Sequence, residues 1–195
     1  MATKISTHAT LDSKGRILEA TIVLMKQTGL SGAGINQILA RSGAPKGSLY
    51  YYFPGGKEQI TSEALMLYAE RVAAAFDRVL SSKKKPADKV RALFSFAADR
   101  FEEASFEQSC AAGAVSLDLN AEVAAIQSVA VAAFASWKAV IARHLHIVSP
   151  ARRAALAGVV LSALEGAYVR GRAERSKRAF IEAGEWLAML VSMAK

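Results

Sequence analysis

The chain has 195 residues, of which 52% are hydrophobic and four are proline, so an intrinsically disordered protein is excluded and a sizeable core is possible. Its formal net charge of +8 at pH 7 favours a nucleic acid or another anionic partner. A single cysteine excludes an internal disulfide framework, and the longest uncharged run is too short to span a membrane. We therefore expect a cytoplasmic protein with no membrane partner.

Helical periodicity begins near the N-terminus. Apolar residues at helical spacing predict a first helix from Asp12 to Thr28. Asp12 or Ser13 can cap its start, and Gly29 can stop it.

Two short helices are predicted next. Apolar residues within 35–39 recur at helical spacing, and Gly43 breaks the chain after them. Pro45 can open a further helix that ends at Tyr52, because "PGG" follows Phe53. Such a short helix is unstable alone, so Leu49 and Phe53, four residues apart, are predicted to anchor it inward.

The rest of the chain is also predicted to be helical, without a strand pattern. The predicted segments are a helix Lys57–Leu80, a solvated connection at 81–89, a helix Pro86–Glu107, a bend at "QSCAAGA", a short helix, and long helices at Ala121–Ile147, Pro150–Arg175 and up to Met193. The predicted fold class is all-α, with about nine helices.

Two segments carry a resemblance to a known family. "RILEATIVLMKQTGL" and "INQILARSGAPKGSLYYYFPGGKEQI" resemble the N-terminal domain of the TetR/AcrR family of transcriptional repressors, closest to its LmrA/YxaF-like branch. The resemblance implies a three-helix helix-turn-helix DNA-binding domain at 1–56 and a larger ligand-binding and dimerisation domain at 57–195. It also implies a homodimer that binds a double-stranded DNA operator and a small apolar or aromatic ligand, with no cofactor.

The resemblance also assigns the DNA-binding positions. They fall on Lys46, Gly47, Ser48, Tyr50, Tyr51 and Tyr52 of the third helix, on Lys57 as a phosphate clamp, and on Asn36 of the second helix. Tyrosine and lysine side chains in these places can reach phosphates or base edges, and a glycine lets the backbone approach DNA closely. The alternatives are packing against the first helix for each tyrosine, and contact with water alone for Asn36. The family's usual hydroxyl residue at the start of the second helix is replaced here by Ala33-Gly34.

A ligand cavity is expected in the larger domain. Its candidate lining residues are Phe94, Phe101, Cys110, Leu117, Phe134, Trp137, Glu165 and Tyr168. Glu165 is the most informative, because it interrupts an apolar stretch and a buried acid needs a partner or a polar ligand. The alternatives are an ordinary core role for the apolar residues and a pairing of Glu165 with Arg172.

Small residues spaced three and four apart suggest a close helix crossing between two copies of the chain. The predicted dimer interface consists of Ala155, Gly158, Ser162 and Gly166 on the penultimate helix, with Trp186, Leu187 and Leu190 on the last.

Enzyme and metal functions are not supported by the pattern. His144 and His146 are two residues apart, so on a helix they point in different directions and would not share a metal. The predicted function is a repressor released from a palindromic operator by a small molecule. The alternative is a DNA-binding regulator controlled by oxidation of Cys110 or by a protein partner. A helical enzyme or binding module without a DNA function is a third class.

Overall fold

The computed structural model describes residues 12–119, 124–146 and 149–193. These residues form α-helices joined by short connections, without a strand, which confirms the predicted fold class. The helices are α1 (Ser13–Gly32), α2 (Ile35–Ser42), α3 (Lys46–Tyr52), α4 (Gly56–Ser81), α5 (Pro86–Glu103), α6 (Ala111–Ser116), α7 (Ala124–His144), α8 (Pro150–Glu174) and α9 (Arg178–Met193).

The first helix begins and breaks where the sequence predicts. The side chain of Asp12 accepts a hydrogen bond from the Gly15 N–H at 2.7 Å and caps α1. Gly29 interrupts the regular helix with φ 68° and ψ −161°, a conformation that is open essentially to glycine alone. One further turn follows the break and ends at Gly32, so the direction of the chain changes at Gly29.

The next two helices form a tight hairpin. Gly43 ends α2 in the left-handed conformation, with φ 60°. Pro45 caps α3 from outside the helix instead of occupying its first position, and α3 is seven residues long. Leu49 and Phe53 are fully buried, as their spacing predicts.

Two hydrophobic clusters organise the chain, and they share α1 and α4. The head cluster joins buried residues of α1, α2, α3 and the start of α4, namely Ile17, Ile38, Ala44, Leu49, Phe53 and Ile60. The larger body cluster begins within α1 at Ile22 and extends through α4 and every helix after it. Helices α1 and α4 contribute to both clusters and so connect the body to the head.

Helices α5 and α9 pack closely in the body, and this contact corrects one predicted ligand residue. Phe94 is 1% exposed, and a Cβ atom added to Gly184 of α9 would lie 2.8 Å from the Phe94 Cβ. Phe94 therefore fills the α5–α9 contact and does not line either of the cavities described below.

Helix α5 ends four residues before the predicted Glu107. Ser105 and Phe106 have φ values of 54° and 63°, which an α-helix does not accommodate. The Phe106 ring turns back onto Phe101, with the ring centroids 5.4 Å apart. Packing of this aromatic pair accompanies the early end of the helix.

The remaining helix boundaries agree with prediction to within a few residues. The predicted bend at 108–114 is half helical, because α6 begins at Ala111. The predicted start of α7 at 121–123 and its end at 147 lie outside the described residues. Helices α7 and α8 are long and apolar enough to cross a membrane, but core helices of water-soluble proteins meet the same criterion.

We predict that Gly29→Ala destabilises the protein by about 1–3 kcal/mol, because its backbone conformation is strained for any residue with a Cβ. The added atom would also collide with the Asp118 carboxylate. Urea unfolding of the variant measures the loss.

Gly47→Ala is the matched control for this substitution. It lies inside α3, where an added Cβ has no heavy atom within 4 Å, so its stability should stay equal or rise by about 0.5–1 kcal/mol. Equal stability of the two variants would contradict the proposed strain at Gly29.

Candidate DNA-binding surface and ligand cavity

The outer face of α3 presents aromatic and cationic side chains to solvent. Tyr50 is 49% exposed and Tyr51 is 79% exposed. Lys46 and Gly47 are also exposed at the start of the helix. Since Leu49 and Phe53 hold the opposite face in the head cluster, the exposed residues face outward as a group.

Tyr52 and Ser48 are less accessible than their neighbours. Tyr52 is half-buried against the head cluster, and its ring makes edge contacts with Tyr51 and Phe53 at centroid distances of 5.1 and 6.5 Å. Much of the Tyr52 ring therefore packs within its own chain, as the alternative to DNA contact predicts. Tyr52 still lies at the border of the exposed face, at the end of α3. Ser48 is half-buried beside the exposed residues.

Gly47 has no packing reason to be a glycine within this chain. A Cβ at this position would meet no heavy atom within 4 Å, and its backbone is helical. Glycine in a helix lowers stability relative to alanine. This cost is consistent with a role for Gly47 in contact with a partner outside the chain.

The turn between α3 and α4 is fixed by Gln59, which the sequence reasoning missed. Its Oε1 accepts from the Gly55 N–H at 2.9 Å, and its Nε2 donates to the Tyr52 carbonyl at 3.4 Å and to Glu63 at 2.8 Å. These bonds connect α4 to the end of α3. They also set the position of Lys57, which is half-buried in the first turn of α4.

Lys14 supplies a second connection within the head that was not predicted. Its ammonium pairs with Glu63 at 2.9 Å and lies 5.6 Å from the centre of the Phe53 ring. One cation thus links α1 to α4 and to the end of α3.

Asn36 is exposed on α2, whose start lacks the family's hydroxyl cap. Gly34 takes the cap position without a side-chain hydrogen bond. Just before α2, the Ser31 N–H donates to Asp118 in the body at 2.9 Å.

Two neighbouring cavities lie in the body and share a wall. One has a volume of about 730 Å³ and the other about 470 Å³, both within the usual range of small-molecule sites. Cys110, Glu165 and Tyr168 line both cavities. Leu117 and Phe134 line the larger one, and Phe101 and Trp137 line the smaller one, so seven of the eight predicted ligand residues face these cavities.

Glu165 is the acidic group of the shared wall. Burial raises its pKa from 4.5 to about 7, while the neighbouring Cys110 thiol opposes the rise. The carboxylate packs directly against Gly113, where a Cβ atom would occupy the position of its Oε2. The sequence offered a pairing of Glu165 with Arg172 as an alternative, but the Arg172 guanidinium donates to the Gln27 carbonyl at 2.6 Å.

Aromatic rings form part of the cavity walls. The Trp137 indole N–H donates to the Ala69 carbonyl at 2.9 Å, so this ring is held in place. The Phe134 ring packs edge-on at 5.5 Å from it, and the Tyr68 ring at 6.0 Å. Burial raises the pKa of both Tyr68 and Tyr168 well above its ordinary value, so both phenols stay neutral.

Cys110 lies in an unfavourable place for oxidation chemistry. It is 3% exposed, and burial together with the nearby Glu165 raises the pKa of its thiol well above the ordinary value. The reactive thiolate is therefore scarce at neutral pH. Its sulfur accepts a hydrogen bond from the Gly113 N–H at 3.5 Å and caps α6.

The broken end of α1 forms part of the wall of the larger cavity. In an unbroken helix, the carbonyls of Lys26 and Gln27 would accept from the N–H groups of Leu30 and Ser31. Here Lys26 accepts from the Ser109 N–H at 2.8 Å, and Gln27 accepts from Arg172.

The Ser31 N–H also lacks its helical partner, the Gln27 carbonyl, and donates to the Asp118 carboxylate instead. The backbone groups released by the break at Gly29 are thus taken up by α8 and by the segments on either side of α6. Gln27, Gly29, Ser109, Asp118 and Arg172 all line the larger cavity.

Most of the predicted dimer residues are accessible on α8 and α9. Ala155, Ser162 and Gly166 are exposed, Gly158 is half-buried, and Trp186 and Leu190 are 65% and 57% exposed. Leu187 is the exception, because it is 7% exposed within the body cluster of its own chain and is removed from the set. Helices α8 and α9 carry further exposed apolar residues that the small-residue pattern missed, namely Val159, Val169 and Ile181.

His144 is engaged in an ion pair and not in a metal site. Its Nε2 lies 2.8 Å from Asp77, which also accepts from Arg143 at 2.7 Å, and His144 and Arg143 lower the pKa of Asp77. Within the described ranges, His, Cys, Asp and Glu residues form no group of three that could hold a metal ion.

Comparison with known families finds matches over both parts of the chain. Residues 17–70 match the model of the family described as bacterial regulatory proteins, tetR family. Residues 86–186, just over half of the chain, match the family described as the C-terminal domain of LmrA/YxaF-like transcriptional regulators.

Individual relatives agree with these matches. The chain is 28% identical over 182 residues to the uncharacterized HTH-type transcriptional regulator YxaF of Bacillus subtilis, covering 92% of this chain and 95% of the relative. The crystal structure of a regulatory protein TetR from Rhodobacter sphaeroides aligns with a TM-score of 0.83 at 19% identity, over 91% and 97% of the two chains. The TetR family regulator CifR, solved with 26 bp operator DNA, aligns with a TM-score of 0.79 at 18% identity, over 92% and 97%.

We predict a pH dependence of stability that comes from Glu165. A carboxyl whose pKa rises from 4.5 in the unfolded chain to about 7 on folding contributes stability below pH 4.5, and this is lost as the pH rises through 7. The loss should reach about 3 kcal/mol and should be absent from Glu165→Gln. Urea unfolding at several pH values measures the difference between the two proteins.

Glu70→Gln removes one negative charge from an exposed position on α4 and serves as the control. It should keep the pH dependence of the parent protein. A difference between the parent and Glu165→Gln that stays constant from pH 5 to pH 8 would show that Glu165 is not buried as described.

Proposed function

The chain belongs to the TetR family of bacterial transcriptional regulators, in its LmrA/YxaF-like branch, and we propose that it is a homodimeric repressor that a small molecule releases from a palindromic operator. Members of this family are DNA-binding proteins and not enzymes. A regulator of this kind acts in the cytoplasm, where the DNA is.

The observation that carries the DNA-binding proposal is the exposed face of α3. Its Lys46, Tyr50 and Tyr51 side chains project from a helix whose opposite face is fully buried, so the helix can enter a major groove as a rigid unit. Gly47 lets the backbone approach the DNA. Lys57 would bind a phosphate at the start of α4, and Asn36 would lie beside the groove on α2.

A homodimer would place two such helices on one operator. The exposed small and apolar residues of α8 and α9 would pair with the same residues of a second copy, as a twofold interface requires. Recognition helices that bind together must lie about 34–36 Å apart, in successive major grooves. A twofold dimer reads two inverted half-sites, which is the reason for proposing a palindrome.

Release by a ligand is proposed from the position of the cavities. The larger cavity is bounded by the broken end of α1, and the smaller one by residues of α1 and α4. Both helices contribute to the head cluster. A ligand that fits the cavity better when these helices are displaced would change the separation of the two heads. A release of tenfold to a hundredfold needs about 1.4–2.8 kcal/mol of such preference, within the usual range for allosteric coupling.

Control by oxidation is a weaker explanation for this chain. Cys110 is buried and its thiol stays protonated, which disfavours a redox sensor. The cavities give a positive reason to prefer a small molecule.

We predict that Gly47→Ala folds normally but loses operator affinity by an order of magnitude or more, because its methyl group would separate the backbone from the DNA. The affinity is measured by fluorescence anisotropy on an operator selected in vitro, with melting temperature as the check of folding. Unchanged affinity in a folded variant would count against close approach of α3 to DNA.

Lys57→Ala should behave differently. If Lys57 neutralises one phosphate per subunit, the variant should weaken binding to the operator and to random DNA alike, and the salt slope should fall by about two per dimer. A salt slope equal to that of the parent protein would exclude the phosphate contact.

We predict that Gly166→Arg separates the two copies, because a long cation would stand in the middle of the proposed helix crossing. Gly166 is exposed at the edge of the larger cavity, and a Cβ atom added to it has no heavy atom of the described residues within 4 Å, so the monomer should stay folded. Sedimentation velocity should report the monomer mass. A dimer of unchanged stability would place the interface elsewhere.

A further inference from the structure

We propose that the cavity at Glu165 takes a lipophilic cation, meaning a molecule with aromatic or other apolar bulk and a positively charged nitrogen. The inference rests on the proposed function for the existence of a ligand, and it adds the chemical class of that ligand. It is carried by the position of the Glu165 carboxylate, which lines two cavities whose walls include aromatic rings.

The carboxylate of Glu165 lies where a ligand in either cavity would meet it, because the residue lines both. Gly113 leaves room for it, since any side chain at that position would displace the Oε2 atom. The chain therefore contains a space shaped around this carboxylate and open to the cavities.

Other charged and titratable groups line the cavities as well. They are Glu19 and Lys26 from α1, Tyr68 and Arg71 from α4, Arg100 and Glu103 from α5, Cys110 and Asp118 around α6, and Tyr168 and Arg172 from α8; α7 contributes Phe134 and Trp137, which carry no charge.

Three of the four basic groups of this set are engaged with other partners, and the fourth, Lys26, lines the smaller cavity. Arg71 pairs with Glu19, Arg100 with Glu103 at 2.9 Å, and Arg172 with the Gln27 carbonyl. Lys26 has its pKa lowered chiefly by burial, and the charges that act on it are those of Cys110 and Arg100, not that of Glu165.

Burial, opposed by the Cys110 thiol, accounts for the raised pKa of Glu165. No basic side chain of the described residues therefore neutralises Glu165. A bound cation would supply that missing charge.

The surrounding walls suit the rest of such a molecule. Phe134 lines the larger cavity, Trp137 lines the smaller one and Tyr168 lines both, and a cation is attracted to the faces of aromatic rings. An anionic ligand in the larger cavity would instead meet two carboxylates, Glu165 and Asp118, against one guanidinium, that of Arg172. A neutral ligand would leave the ionised Glu165 without compensation above pH 7.

The test uses trimethyl(naphthalen-1-ylmethyl)ammonium and its neutral carbon isostere, 1-(2,2-dimethylpropyl)naphthalene. The two probes share size and shape and differ by the one charge. The full-length dimer should bind the cation at least about tenfold more tightly than the isostere at pH 8, measured by calorimetry. A dissociation constant for the isostere equal to or lower than that for the cation would overturn the proposal.

A second readout follows from the proton on Glu165. Because the probe cation carries no ionisable proton, any proton released on binding comes from the protein, and about half a proton per site is expected at pH 7. Calorimetry in buffers of different ionisation enthalpy measures this number. The dissociation constant should rise up to tenfold for each pH unit below 7 and should level off above pH 7. Binding without proton release and without pH dependence would also overturn the proposal.

Glu165→Gln should lose both the preference for the cation and the proton release, whereas Glu70→Gln should keep both. Asp118→Asn tests the second carboxylate of the larger cavity. If Asp118→Asn loses the preference for the cation and Glu165→Gln keeps it, Asp118 attracts the cation and the proposal for Glu165 is overturned. An operator-release assay in parallel separates the proposed ligand class from the proposed release of DNA by a ligand. Glu165-dependent binding of the cation without DNA release would support the ligand class and contradict the release mechanism. DNA release by the neutral probe alone would support the release mechanism and contradict the ligand class.

Discussion

The structure depends on the break in α1 at Gly29. A regular helix satisfies its own carbonyls and N–H groups, but the break leaves those of Lys26, Gln27 and Ser31 to find partners elsewhere. The body supplies them through Ser109, Arg172 and Asp118. Hydrogen bonds therefore join the end of α1 to the cavity wall, in addition to the apolar packing of α1 in the body cluster.

The same arrangement places the proposed ligand beside the bonds that hold the head. The broken turn, Asp118 and Arg172 form one side of the larger cavity, and Glu165 forms part of the other. The fold thus brings together a space for a molecule, an uncompensated charge and the attachment of the DNA-binding helices. A shift of one wall can then be transmitted through α1 without unfolding of either cluster.

The sequence predicted features that arise from local chemistry. The Asp12 cap, the stop at Gly29 and the burial of Leu49 and Phe53 follow from short-range patterns, and the structure confirms them. It could not predict contacts between distant segments, such as Gln59 with the end of α3 or Asp118 with Ser31, because single polar residues carry no mark of their partners.

Burial was the other source of error. Phe94 and Leu187 are apolar and lie at the helical spacing expected of cavity-lining and interface residues, so the sequence predicts Phe94 in the ligand cavity and Leu187 in the dimer interface. Both are buried in the core. Only the packing of α5 against α9 shows that both lie in the core.

The measurement that tests the account most directly is the distance between spin labels at Ala40→Cys in the two heads of the dimer, in a Cys110→Ser background. Asp118→Ala should shift or broaden the distances and Asp118→Asn should preserve them, whereas the same narrow distribution in all three proteins would contradict the role of the α1 break.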